Sequence, residues 1–238
     1  MKYSFLFLCA VCIGCSAARA EVFFTLGGFN GYHGSGGVPP DAFNKLGEVQ
    51  KGNKVELKCI AFTPGGDWVI LFGGNGIWTN NGNLPIIKKL GELQKDPNSH
   101  VRSVAFAPNG AFTIMDGGGF WADGGTPEDA FNKMSEIGKH GGKLRSIAYA
   151  PSGGWVILFD KHGVIYRGIP KDLKEVLDEA VKNRVTVQCV AFTIFGDWIC
   201  LTNHGWWTSN LDLDASKSLA AHPNDSPKWL AFVPPVDD

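Results

Sequence analysis

The sequence predicts an all-β chain with short helices: a five-bladed β-propeller whose ring is closed by pairing its N- and C-terminal segments within one blade. Three observations predict it. An apolar triplet ending in Ala-aromatic recurs five times, as Ile60-Ala61-Phe62, Val104-Ala105-Phe106, Ile147-Ala148-Tyr149, Val190-Ala191-Phe192 and Leu230-Ala231-Phe232, with Ala spacings of 44, 43, 43 and 40 residues. The two ends carry complementary fragments, since residues 21–50 hold only the later half of a unit and residues 226–234 only its first strand. A linear solenoid would need polar end caps and would have no reason to divide a unit between its ends. Finally, 44% hydrophobic residues, 31 Gly, 8 Trp and 19% charged residues describe a turn-rich, packed chain.

Each unit then reads in order. The triplet belongs to a first strand, and the turns TPGGD, APNG, APSGG and TIFGD follow the first four copies. There Gly supplies positive φ, and Pro, where present, fixes the first turn residue. The second strands, Trp68 to Phe72, Phe112 to Met115, Trp155 to Phe159 and Trp198 to Leu201, are almost continuously apolar, as strands covered on both faces are. Gly76, Gly119, Gly163 and Gly205 open a short aromatic third strand, and Pro85, Pro127 and Pro170 start helical stretches. The fourth such stretch, LDLDASKSLAA, lacks the Pro. These signals divide residues 21–238 into units over 55–98, 99–141, 142–183 and 184–224, with 225–238 and 21–54 composing the fifth.

Residues 1–20 read as a secretory signal, with Lys2, an apolar run from Phe5 to Gly14 and Ala-Arg-Ala before Glu21. The run is short of the roughly 18 residues a membrane span requires. Cys15 offers a lipid-attachment alternative, against which Cys12 stands where an aliphatic residue is usual. Cleavage changes the net charge of -1 to -3, with 20 basic residues against 23 acidic, so nucleic acid and anionic membranes are poor partners. The expected location is secreted, extracellular or periplasmic. Cys59, Cys189 and Cys200 remain in the mature chain. They read as small buried apolar residues, with a Cys189–Cys200 bridge as the alternative.

The string VRSVAFAPNG, followed by an apolar strand, a Gly and FWAD, resembles the inner three strands of a WD40 blade. A Pro-led helix replaces the outer strand, and PIIKKLGEL with FAPNG more closely resembles the five-bladed tachylectin type of lectin. That resemblance implies a closed ring and a glycan ligand. Where the family has an Asp/Asn-rich, Trp-containing stretch this chain has DAFNK, IIKK and KDLKE, so the family's sugar contacts do not carry over.

Aromatics recurring near one repeat position, Tyr32, Trp78, Trp121, Tyr166 and Trp207, are either core between blades or surfaces on which a sugar ring stacks. Asn80, Asp123, Arg167 and Asn210 stand beside them as polar ligand-binding candidates. The expected function is multivalent carbohydrate binding without catalysis, metal or cofactor, in which repeated weak sites raise avidity about 10² to 10⁴. A small hydrolase or lyase using His100, His140, His162 and His204 on one loop face is an alternative, with Asp116 and Asp160 as companions. Against it, no HExxH or Gly-x-Ser-x-Gly accompanies the histidines. A propeller that binds an extracellular protein is the third reading.

Overall fold

The structure, a computed structural model, describes residues 22–26, 31–35, 37–53, 55–223 and 226–234; the expected signal segment lies outside them. In chain order the elements are β1 (Val22–Leu26), β2 (Tyr32–Gly34), α1 (Pro40–Asn53), β3 (Leu57–Phe62), β4 (Trp68–Phe72), β5 (Gly76–Thr79) and α2 (Pro85–Lys95). There follow β6 (Val101–Phe106), β7 (Phe112–Asp116), β8 (Gly119–Ala122), α3 (Glu128–Lys139), β9 (Leu144–Tyr149), β10 (Trp155–Phe159), β11 (Gly163–Arg167) and α4 (Lys171–Lys182). The chain ends with β12 (Val187–Phe192), β13 (Trp198–Thr202), β14 (Gly205–Thr208), α5 (Asp214–Ala221) and β15 (Trp229–Val233).

The described chain is mostly β, a propeller-like repeat of three-stranded antiparallel sheets alternating with short helices. Four sheets are consecutive in sequence, and the fifth has the order β15-β1-β2. In that sheet the first and last described strands pair, from Val22 opposite Val233 to Leu26 opposite Trp229. The split unit read from the two ends is therefore one sheet. First strands neighbour one another in the order β3, β6, β9, β12, β15, with β15 also beside β3.

Second strands show why helices alternate with sheets. On β4, Trp68 and Ile70 pack with Ala42 and Leu46 of α1, whereas Val69 and Leu71 pack with Ile86 and Leu90 of α2. The pattern repeats on β10, where Trp155 and Ile157 meet α3 while Val156 and Leu158 meet α4, and on β13 between α4 and α5. Successive side chains of a strand point to opposite faces, so an unbroken apolar run requires a cover on each side.

A charged tie fixes three of these helices to the next sheet. The buried indoles of Trp68, Trp155 and Trp198 donate from Nε1 to Asp41, Asp129 and Asp172 at 3.2, 3.0 and 3.2 Å. Each aspartate also accepts the following backbone N–H through its other oxygen. In α2 the corresponding residue is Pro85, and the corresponding second-strand residue is Phe112, whose ring has no N–H to donate.

First strands are linked by side chains just before the triplet. Ser103 Oγ donates to Arg145 O at 3.0 Å and Trp229 Nε1 to Ile60 O at 2.9 Å. The Cys59 and Cys189 thiols make weaker bonds to Val104 O and Leu230 O at 3.6 and 3.5 Å. Among the described residues the three cysteines, Cys59, Cys189 and Cys200, are free and buried, and burial raises their thiol pKa values, that of Cys189 to about 12. Cys189 and Cys200 pack on opposite faces of their sheet, toward α5 and α4 respectively, which rules out the bridge considered from sequence.

The recurring Gly has a steric reason at two positions. A Cβ on Gly76 or Gly163 would lie 2.4 Å from the Phe72 ring or 2.6 Å from the Phe159 ring.

Leu90, buried against two sheets, is the most direct test of the packing. Leu90→Ala should cost about 2–5 kcal/mol in denaturant unfolding. Asp129 is penalised by desolvation, but bonds from Trp155, the Ala130 N–H and Arg167 outweigh this and hold its carboxyl below its ordinary range. The resulting stability is present above the unfolded-state value of about 4 and is lost as pH falls through the lower folded value. Asp129→Asn should therefore unfold more easily near neutrality and lose less stability on acidification, as read from urea titrations at several pH values.

Candidate functional site

The third strands carry the predicted aromatics, and register sorts them. Trp78, Trp121 and Trp207 lie opposite Ile70, Ile114 and Cys200, two residues after their strand's Gly. The same position is Ile165 in β11 and His33 in β2. Tyr166 comes one residue later, opposite Val156, and Tyr32 one earlier, so neither joins the three tryptophans on their face. Tyr32 stacks edge-on with Phe43 at 5.1 Å, and its hydroxyl donates to Phe43 O. Tyr166 donates to Asp178 at 2.5 Å, and burial together with that carboxylate pushes its pKa up to about 12.

Two of the tryptophans face a lysine from the preceding helix. Lys89 Nζ stands 3.3 Å from the Trp121 ring centre and Lys45 Nζ 4.8 Å from that of Trp78, both within cation–π range. Each lysine is also paired with a glutamate three residues on, Glu92 and Glu48. Trp121 is 47% exposed, yet one face of its ring is already occupied by an ammonium group.

The neighbouring polar candidates tie turns together. Asn80 accepts the Trp68 N–H and donates to Asp67, Asp123 accepts from Gly125 and Thr126, and Asn210 accepts from the Asp212 N–H. Arg167 pairs with Asp129 at 2.7 Å. The histidines have separate local partners. The His100 N–H donates to Asp116, His140 Nδ1 meets Glu136 O, His162 Nδ1 meets Thr186 Oγ1, and His204 Nε2 lies 3.2 Å from Asn203. No three His, Cys, Asp or Glu side chains gather as a metal site among the described residues.

Trp207 and His204 meet in a cleft of about 820 Å³ between the sheet β12-β13-β14 and the segment joining α5 to β15. Its walls include Trp206 and Trp207 of β14, Asn203 and His204 of the preceding turn, His222 at the end of α5, and Gln188 of β12. Trp206 packs against the α5 core cluster, while Trp207 is 36% exposed. His222 is held by its Nδ1 contact with Ser218 O and by stacking on His33 at 4.5 Å. Gln188 Oε1 is buried without a hydrogen-bond partner. Such an atom loses its hydration and is matched only when something else donates to it.

A second cavity, about 430 Å³, opens among the first strands at the end where they run into their turns. Its lining includes the triplet aromatics Phe62, Phe106, Tyr149, Phe192 and Phe232, with Pro64, Pro108 and Pro151 around them. Most of its lining side chains are apolar, and the Tyr149 hydroxyl is hydrogen-bonded to Thr113 at 2.7 Å.

Gln188→Leu removes the unmatched carbonyl and should leave the chain at least as stable by chemical denaturation. A loss approaching the roughly 1–3 kcal/mol cost of breaking a satisfied buried bond would show instead that the carbonyl has a partner.

No family model matches the chain, and no curated protein matches it. A crystal structure of a protein of unknown function from Bacteroides caccae aligns with 81% of this chain and 70% of that one, at 13% identity and a TM-score of 0.33, a likeness that carries no argument.

Proposed function

We propose that this chain is a secreted, closed five-bladed propeller that binds carbohydrate without catalysis. The cleft between the sheet β12-β13-β14 and the segment joining α5 to β15 is its principal site. The observation that carries the reading is the composition of that cleft: Trp206, its neighbour Trp207 from the opposite face of β14, the amide of Asn203, two imidazoles and the buried, unmatched Gln188 carbonyl around one volume of about 820 Å³. A sugar presents an apolar face to aromatic rings and hydroxyls to amides. A hydroxyl donating to Gln188 Oε1 would supply the missing bond.

The β15–β1 pairing and the neighbour relation between β15 and β3 support a closed ring. Export rests on the signal-like residues 1–20. The structural inequality of the repeats favours one principal site over five equal ones, because Trp78 and Trp121 are capped by lysines and β11 carries Ile165 at that position.

A second reading, an extracellular protein partner, is favoured by Ile194 and Phe195. They are 44% and 51% exposed on the fourth sheet's turn, and Ile194 lines the apolar cavity.

A glycan array followed by calorimetry on residues 21–238 tests the proposal. Saturable binding of a free sugar is expected, with Trp207→Ala and Asn203→Ala each weakening it by about tenfold or more while the fold is kept. A folded protein with no glycan ligand, or variants that bind unchanged, would overturn it. Capture of an apolar peptide that is lost in Phe195→Ser would favour the second reading.

A further inference from the structure

The first strands of four sheets break register at the same point. Leu57 lies opposite Phe72 and Cys59 opposite Leu71, leaving Lys58 as the extra residue. In the same way Arg102 is extra between Val101 and Ser103, Arg145 between Leu144 and Ser146, and Gln188 between Val187 and Cys189. A bulge of this kind re-aims one side chain away from the ladder and recurs beside functional sites. Here it singles out three cations and an amide at the common starting end of neighbouring first strands.

Two of these side chains reach across to the next first strand. Lys58 Nζ donates to Val101 O at 2.9 Å and to Gly74 O, and Arg145 Nη2 donates to Val187 O at 2.8 Å. Both contacts are to backbone carbonyls and neither is an ion pair: the acids that act on these charges, Glu56 and Asp116 on Lys58 and Asp160 on Arg145, do so without a direct salt bridge. The nearest acids are otherwise engaged. Asp116 accepts from Ser99 and the His100 N–H, Asp160 accepts the Lys143 N–H, and Glu56 faces Lys228 at 3.9 Å. Arg145 Nε is buried without a hydrogen-bond partner, and Gln188 Oε1, on the next first strand, shares that condition. Desolvation lowers the pKa of both Lys58 and Arg145; attraction to Glu56 and Asp116 for Lys58, and to Asp160 for Arg145, offsets part of this, while Arg102 repels both.

Three like charges on neighbouring first strands, one with a buried unmatched donor, are a costly arrangement. A bound anion relieves each part of that cost. Its oxygens would accept from Arg145 Nε and from the exposed Arg102 guanidinium, whose planar donors suit phosphate, sulfate and carboxylate groups. We propose that Lys58, Arg102 and Arg145 form an oxyanion-binding site at the start of the first strands, with Gln188 at its edge. The site borders the proposed carbohydrate cleft at Gln188, but Lys58, Arg102 and Arg145 do not line that cleft, so its existence does not depend on carbohydrate binding.

Calorimetric titration of the full mature chain with sodium phosphate, and separately with sodium sulfate, tests it against sodium chloride at matched ionic strength. Saturable uptake of about one oxyanion per chain is expected, with affinity reduced about tenfold or more by Arg102→Gln or Arg145→Gln. Arg102 is exposed, so its variant carries the test even where Arg145→Gln fails to fold. Heats no larger than those of chloride, or an affinity unchanged in Arg102→Gln, would overturn the proposal. Displacement of phosphate by a sulfated oligosaccharide, but not by its unsulfated form, would support the site and place its oxyanion on a saccharide. Phosphate binding that the sulfated saccharide leaves undisturbed would support the site as one for free ions.

Discussion

Each second strand of the four consecutive sheets is too apolar to face water on either side, and the arrangement of the molecule answers that constraint. Val69 and Leu71 cannot be covered by the helix that covers Trp68 and Ile70, so every such sheet requires two different helices. One helix per repeat suffices only if each helix serves two sheets. Ile86, Leu90 and Leu93 of α2 do this, packing with both β4 and β7. A chain built this way exposes apolar faces at its ends unless the ends meet, and β15 pairing with β1 places the two terminal segments in one sheet. Burial of one large aliphatic side chain contributes about 1.5–3 kcal/mol, so leaving a sheet face uncovered would cost several such terms.

Apolar packing alone specifies neither the height nor the rotation of a helix between two sheets. The Asp–indole ties add that direction. Asp41, Asp129 and Asp172 sit in the first helical turn, where a carboxylate also favours the helix N-terminus, and each fixes that turn to the second strand of the next sheet. The pair is absent on both sides at once, with Pro85 in α2 and Phe112 in β7, so neither a lone buried indole N–H nor a lone carboxylate is left there. The belt of Cys59, Ser103, Cys189 and Trp229 bonds acts similarly among the first strands, where side chains supply links between neighbouring sheets.

The repeat was legible in the sequence because it is written in backbone needs: a Gly beside the Phe72 ring, a turn after each of the first four triplets, a Pro at the first residue of α2. The division of the fifth unit between residues 21–50 and 226–234 was legible for the same reason. The candidate site was less so. The recurring aromatics pointed to the third strands, and Trp207 does line the cleft. One-residue offsets, however, place Tyr32 and Tyr166 against helices, and the lysines that cap Trp78 and Trp121 come from a helix of the preceding unit, a relation that spacing alone does not express. Gln188, Trp206 and His222 join the cleft only through tertiary packing. The basic series Lys58, Arg102, Arg145 stands two residues before three successive triplets and was readable as a repeat. Its meaning depends on a bulge, which no local residue pattern announces.

Hydrogen exchange on the intact chain, followed by mass spectrometry, tests the central claim that the strands β1 and β15 complete a sheet the others depend on. Peptides spanning β1 and β15 should exchange as slowly as those spanning β4 and β10, and all should lose protection together as denaturant approaches the unfolding midpoint. Rapid exchange of β1 and β15 while β4 and β10 stay protected would contradict it, showing that the four consecutive sheets stand without the terminal one.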